Sequence, residues 1–270
     1  MAIMFHSITN GTITNSNQTS EYVFRQLMNK LHDDGFQAIT TTQLADFMES
    51  NSKIPERSVL LVVDDRHADT YFNKLFREYW VDWGWPVVNA WISTDLSTAE
   101  LWQEMEELNA EGWVDFEAHG FFHNTPIGSY SSEQYILQEL QKPIDIFNAN
   151  FHKTPIAVIW PGGGFTPHAA AVARQLGYRL GFTVNPRGPV MFNWVPLGDS
   201  VNPQSPLWLA EGPVNDPLMV LPRYWDTDAI KHIDQVVQVG KDAATYAAIN
   251  KATEMDYYDI ICASHYGPIP

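Results

Sequence analysis

Two short stretches hold the residues whose types and spacing suit them to chemistry. Asp64 and Asp65 adjoin in SVLLVVDDRHADTYF, residues 58–72, and His119 and His123 stand four apart in EAHGFFHN, residues 117–124. Across one helical turn or a tight loop both imidazoles can reach a single ion, and neutral imidazole is the commonest protein ligand for zinc-like metals. With one carboxylate of the Asp pair they make three protein ligands and leave positions open for water and substrate, as catalytic sites do. The other carboxylate is then free to act as base toward a water that the ion activates. Each half alone has a plainer use, since Asp is a favoured N-cap and histidines are common in cores and on surfaces. Their coincidence at two strand ends is what points to chemistry.

For the four to meet, the strands before them must share a sheet. Residues 59–63 are five consecutive apolar residues rich in β-branched types, the pattern of a strand buried on both faces in a parallel sheet or barrel. That strand delivers the Asp pair at its C-terminal end, where α/β folds carry their chemistry. Successive strand residues face opposite ways, so the two carboxylates can be given different jobs. Further strands are predicted over 2–7 with His6 at the end, 36–40, 86–92, 113–118 leading into His119, 156–160, 178–183, 220–225 and 257–264 leading into His265. Between them the 3.6-residue pattern and its caps predict helices from Ser20 to Gly35 and over 42–48, 71–79, 98–110, 131–147, 167–176 and 228–239. A glycine turn spans 161–164, and the Pro-, Gly- and Asn-rich stretch 185–216 is expected to form long loops near the site. Alternating strands and helices without an internal sequence repeat point to an α/β fold, a distorted (β/α) barrel of fewer than eight units, as one domain over residues 1–270.

Composition narrows the partners. The formal net charge of -16 would repel a nucleic-acid backbone or an anionic membrane surface, so a neutral or cationic polymer fits better. Trp 10, Tyr 11 and Phe 14 exceed what a core needs and leave aromatic rings to line a groove. The single cysteine, Cys262, excludes an internal disulfide. No apolar run approaches a membrane span, and residues 1–5 are too short and lack the basic flank of a signal peptide. The expected location is extracellular or at the cell surface, with any export signal absent from this chain.

These residues resemble the polysaccharide deacetylase family, also called the NodB-homology domain or carbohydrate esterase family 4. VVDDRHADTYF is similar to its T-F-D-D-G-Y-x-D-x-Y motif, and EGWVDFEAHGFFHN to its H-(S/T)-x-x-H motif with the stretch before it. The run from QELQKPIDIFNANFHKTPIAVIWPGGGF through ARQLGYRLGFTV resembles the family's long helix, the strand ending in R-x-P-Y-G, and the A-R-x-x-G-Y-R-x-x-F-T strand. Four separated blocks in the right order and spacing cover most of the chain. The resemblance implies a seven-stranded barrel, a divalent metal of the zinc type and an acetylated polysaccharide substrate.

Carried over position by position, Asp64 resembles the catalytic base, while Asp65, His119 and His123 resemble the metal ligands. The N–H of Gly162, after Pro161, would help hold the oxyanion. Arg66 replaces a glycine, Ile159 stands where the third motif has its arginine, and D-x-x-D-W has no clear counterpart. The missing arginine orients the base in the family, so another cation must do so here. Arg223, before Tyr224 and Trp225, resembles an arginine of the biofilm poly-N-acetylglucosamine deacetylases, and Met4, Phe5, His6, Ser7 and Ile8 resemble that branch's M-Y-H-x-I segment. Arg223 and Trp225 thus join Pro161 and Gly162 as expected substrate contacts. His6 and His265 compete to be the general acid, which is expected on the side of the metal opposite the base. His32, His67, His152, His168 and His232 are expected to face solvent, and Trp160, Trp194, Trp208 and Trp225 are candidates for sugar stacking. The implied function is metal-dependent removal of acetyl groups from N-acetylated amino sugars of a polymer such as poly-N-acetylglucosamine, chitin or a peptidoglycan-like glycan. O-acetyl ester hydrolysis on the same site, and a non-catalytic carbohydrate-binding barrel, are the alternatives.

Overall fold

The computed structural model of this chain describes residues 1–94, 98–189 and 209–268. It forms two compact units, Met1–Ile230 and Lys231–Pro270, where the sequence suggested one domain. In chain order the larger unit runs β1 (Ala2–Phe5), β2 (Ser7–Thr9), β3 (Gln18–Ser20), α1 (Glu21–Asp33), β4 (Gln37–Ala38), α2 (Thr41–Ser50), β5 (Ser58–Val63), α3 (Asp69–Leu75) and α4 (Arg77–Trp83). It continues with β6 (Val87–Trp91), α5 (Ala99–Glu111), β7 (Val114–Ala118), α6 (Glu133–Asn150), β8 (Ala157–Ile159), α7 (Pro167–Gln175), β9 (Leu180–Phe182), β10 (Tyr224–Trp225) and α8 (Asp226–Ala229).

Seven parallel strands follow one another in the order β10-β1-β5-β6-β7-β8-β9, with β4 added beside the start of β5. The sheet curls into a half-barrel, as the repeated strand and helix units predict. The expected strand over 220–225 is shorter than its apolar run: Leu221 makes an isolated bridge to Phe182 at one end of the sheet, while Tyr224 and Trp225 pair with Ile3 and Met4 on β1. Val59 through Val63 are each at most 1% exposed, so β5 is buried on both faces as its unbroken apolar run requires. Leu60 and Val62 share one cluster with Val88, Ala90, Ala157, Ile159, Leu180 and Phe182, and α2 adds Leu44, Ala45 and Met48.

Local signals set the helix ends. Ser20 accepts a hydrogen bond from the N–H of Val23, and Thr98 accepts one from Leu101. Thr40 and Gln43 form a reciprocal capping box on α2. Gly112 ends α5 in the left-handed conformation (φ 78°) that a side chain would oppose.

Two expectations are corrected. The helix predicted over 71–79 is two helices, α3 and α4, meeting at Phe76, whose φ of -113° interrupts the spiral. The strand predicted over 257–264 is helical: in the smaller unit α9 (Ile233–Tyr257) passes into a π-turn at Tyr258–Cys262 and then α10 (Ala263–Tyr266). The apolar Ile260 and Ile261 are 77% and 67% exposed, so nothing rewards the extended form, and helical bonds satisfy the backbone locally.

Asp226, fully buried at the start of α8, provides a test of the packing. Burial pushes its carboxyl up to about 7 against a hydrogen bond from the Thr227 N–H. A carboxyl whose pKa is raised by folding stabilises the protein below its unfolded pKa, near 3.8, and that contribution is lost as the pH rises through the folded value. Asp226→Asn is therefore expected to flatten the fall in melting temperature between pH 5 and 8, and an unchanged slope would contradict the burial argument.

Candidate active site

The position of Asp64 is set by strand register. β1 and β5 are parallel neighbours with Phe5 beside Val63, and the Asp64 N–H donates to the Phe5 carbonyl at 2.8 Å. The next residues, His6 and Asp64, therefore emerge side by side, with His6 Nε2 3.6 Å from Asp64 Oδ2. An acid facing the base across the metal is thus not how His6 is placed. Its ring also stacks on Trp225, with centroids 5.0 Å apart and planes at 11°.

The other oxygen of Asp64 accepts a hydrogen bond from Arg223 Nη1 at 2.6 Å, and both side chains are at most 1% exposed. Arg223 Nε donates to the Thr183 carbonyl at 2.9 Å, tying the pair to the end of β9. Burial alone would raise the Asp64 carboxyl, but Arg223, His119 and His6 outweigh it and hold it well below the usual carboxylate range. Arg223 is therefore buried behind Asp64 and not on an open surface, and it places a cation beside that carboxylate where Ile159 offers none.

Beside this pair lies the metal candidate. One ligand atom each from Asp65, His119 and His123 come within 4.8 Å of one another. Asp65 and His123 both hold the left-handed backbone (φ 74° and 54°), a strain that concentrates at functional positions. His119 is buried, and its Nδ1 lies 2.8 Å from the Ile159 carbonyl, which can only accept. Nδ1 must then carry the proton, leaving the lone pair of Nε2 toward Asp65 Oδ1, 3.8 Å away. Burial, then the neighbouring His123, lowers the His119 pKa and keeps the ring neutral. A neutral imidazole oriented from behind is what a divalent ion requires, so these residues fit one.

The loop from His119 to His123 rests on a residue that sequence reasoning passed over. Glu139, on α6, accepts hydrogen bonds from the N–H groups of Phe121, Phe122 and His123 at 3.2, 2.8 and 3.2 Å. Its position offered a signal: Ile136, Leu140, Pro143, Ile144 and Phe147 form the buried stripe of α6, and Glu139 lies on it.

Pro161 and Gly162 begin the expected turn, Gly162 at φ 56°, and the N–H groups of Gly163 and Gly164 are used within it, on Trp160 and Pro161. Trp160 is fully buried with Nε1 donating to the Met219 carbonyl at 2.8 Å, so it is a core residue and not a sugar platform. His67 does not face solvent either: it stacks on Tyr71 at 4.0 Å, and burial lowers its pKa. His265 falls in α10 and not at a strand end; its side chain, like Trp194 and Trp208, lies outside the described residues.

The parallel half-barrel gathers ionisable groups at the carboxyl ends of β1, β5 and β7, the end at which barrel enzymes carry their sites. Residues 51–181 match the family described as polysaccharide deacetylase. YxkH of Bacillus subtilis (strain 168), which carries the polysaccharide deacetylase name, is 25% identical over 186 residues, covering 68% of this chain and 64% of its own length. The chain thus spans a little under two thirds of that relative. Among solved structures, the Streptococcus pyogenes deacetylase PplD in complex with acetate superposes with a TM-score of 0.65 at 18% identity, over 87% of this chain and 96% of that one. A de-N-acetylase from Aggregatibacter actinomycetemcomitans gives 0.59 at 18%, over 72% and 92%. At such identity the likeness is one of fold.

Proposed function

We propose that the protein is a metal-dependent deacetylase that removes acetyl groups from N-acetylated amino sugars of a polysaccharide, in the manner of the biofilm poly-N-acetylglucosamine deacetylases. The observation that carries this reading is the buried Asp64–Arg223 pair set beside the Asp65, His119 and His123 cluster. Two carboxylates adjacent in sequence are thereby given separate environments, one locked against a cation and one half-exposed toward two imidazoles. Two fold relatives, one a deacetylase in complex with acetate and one a de-N-acetylase, agree with the reaction. The setting proposed with it is the cell surface or beyond, where such polymers lie.

A divalent ion of the zinc type, held by Asp65, His119 and His123, would supply Lewis acidity toward the acetyl carbonyl and the attacking water. The chain does the rest. Asp64, kept ionised by Arg223, takes the proton of the water as its oxygen bonds to the acetyl carbon, and the Gly162 N–H would donate to the carbonyl oxygen. The C–N bond then breaks, and the sugar nitrogen takes a proton from His6 Nε2. Because His6 adjoins Asp64, the proton taken from water can pass to His6 and on to the amine, so base and acid serve as one relay. Trp225, stacked on His6, fixes its ring and offers an edge to the sugar.

N-acetylglucosamine oligomers are expected to release acetate and gain free amines in equal amounts. Acetate from acetylated xylan alone would make the protein an O-acetyl esterase, and no release from either would make it a carbohydrate-binding barrel.

A further inference from the structure

We infer that Glu139 is a positioning residue for the candidate metal-binding loop, reaching it from α6 through the space beside Gly120. The inference rests on the reading that Asp65, His119 and His123 hold an ion. A carboxylate on the buried face of a helix is costly unless its oxygens are hydrogen-bonded. Glu139, 1% exposed, meets that cost with three consecutive backbone N–H groups, those of Phe121, Phe122 and His123. Three donors converging on one rigid acceptor leave the loop a single path. The last of the three belongs to His123, whose φ of 54° is sparsely populated without outside support.

Residue 120 shows why the carboxylate can be there. The family pattern has Ser or Thr at this place, and here it is Gly120. A Cβ on Gly120 would lie 2.3 Å from Glu139 Oε2 and 2.7 Å from Pro161 Cγ, and its φ of 76° disfavours any side chain as well. The room that a hydroxyl-bearing side chain would fill is occupied by the carboxylate of Glu139. The carboxylate that organises this loop is reached from a helix 19 residues further along the chain.

The test is zinc affinity, measured by competition with a chromogenic chelator, in Glu139→Met and Glu139→Gln. Met keeps the volume and removes both acceptors, whereas Gln keeps one acceptor oxygen. Zinc is expected to bind about 10- to 100-fold more weakly to the Met variant, the usual cost of losing a group that orients metal ligands, with Gln in between. Amide hydrogen exchange in the metal-free protein should quicken at residues 121–123 and not along α6. Wild-type zinc affinity in the Met variant would overturn the inference, even if its melting temperature fell, because that is the outcome of a purely structural role. Should the Met variant fail to fold, Gln decides: weakened zinc supports the inference and unchanged zinc overturns it. His123→Ala serves as control. Zinc retained there would sink the metal reading itself, whereas zinc lost there and kept in both Glu139 variants would sink this inference alone.

Discussion

Arg223→Ala is expected to lower folding stability by about 3–5 kcal/mol, the range found when one partner of a buried ion pair is removed. The Asp64–Arg223 contact is 2.6 Å long, and neither side chain is more than 1% exposed. Removal of the guanidinium leaves a carboxylate in a dry site and also frees the Thr183 carbonyl that accepts from Arg223 Nε. The cost should therefore come from the stranded Asp64 and not from lost packing alone. Replacing both partners, Arg223→Met with Asp64→Asn, should recover much of the loss, because a neutral pair leaves no charge unpaired. Turnover of Arg223→Ala should fall about 100-fold, the scale of effect for a reacting group displaced by about 1 Å. Urea denaturation and acetate release measure the two quantities. A single variant within about 1 kcal/mol of the wild type would mean that the pair does not anchor the base.

Asp64→Asn and Asp65→Asn should separate cleanly. Asp64 lies between Arg223 and His6 and is not among the three residues whose ligand atoms cluster; Asp65 is. Asp64→Asn is expected to keep one equivalent of zinc and lose about 10²–10⁴ in kcat, the range for removing a general base. His6→Ala belongs with it, retaining zinc and losing turnover. Asp65→Asn should instead lose zinc, since a neutral amide is a poor substitute for a carboxylate ligand. Atomic absorption on the three proteins, with an acetate assay at fixed zinc, gives the comparison. Equal loss of metal from Asp64→Asn and Asp65→Asn would show that base and ligand are not distinct.

What the sequence revealed follows the range of the forces involved. The apolar run of β5, the helix caps at Ser20 and Thr98 and the glycine after α5 are local signals, and each appears where its residues call for it. The barrel class was legible because the alternation of elements leaves few other topologies, while the count of seven strands came with the family resemblance. The convergence of Asp65, His119 and His123 was readable because all three follow strands that must be parallel neighbours of β6.

Features set by register or by distant partners were not readable. Nothing local says that Phe5 pairs with Val63, so the place of His6 beside Asp64, and not across from it, appears only in the assembled sheet. Arg223 was noticed by resemblance, but its contact with a residue 159 positions earlier depends on the segment 221–225 spanning from β9 to β1. Glu139 was missed because a carboxylate on an apolar stripe reads as an interruption until its three donors are seen. The apolar run at 257–264 misled because its residues suit a strand, while the choice between strand and helix was made by the absence of a ladder partner for the described residues of its unit.

The central claim is that acetate release depends on one ion held by Asp65, His119 and His123. Protein stripped with a chelator and titrated with zinc tests it most directly, with acetate release from an N-acetylglucosamine oligomer followed at each addition. The account predicts no release from the stripped protein, a linear rise, and a break at one equivalent that is missing in His123→Ala. Full release from the stripped protein, or a wild-type titration curve in His123→Ala, would contradict it.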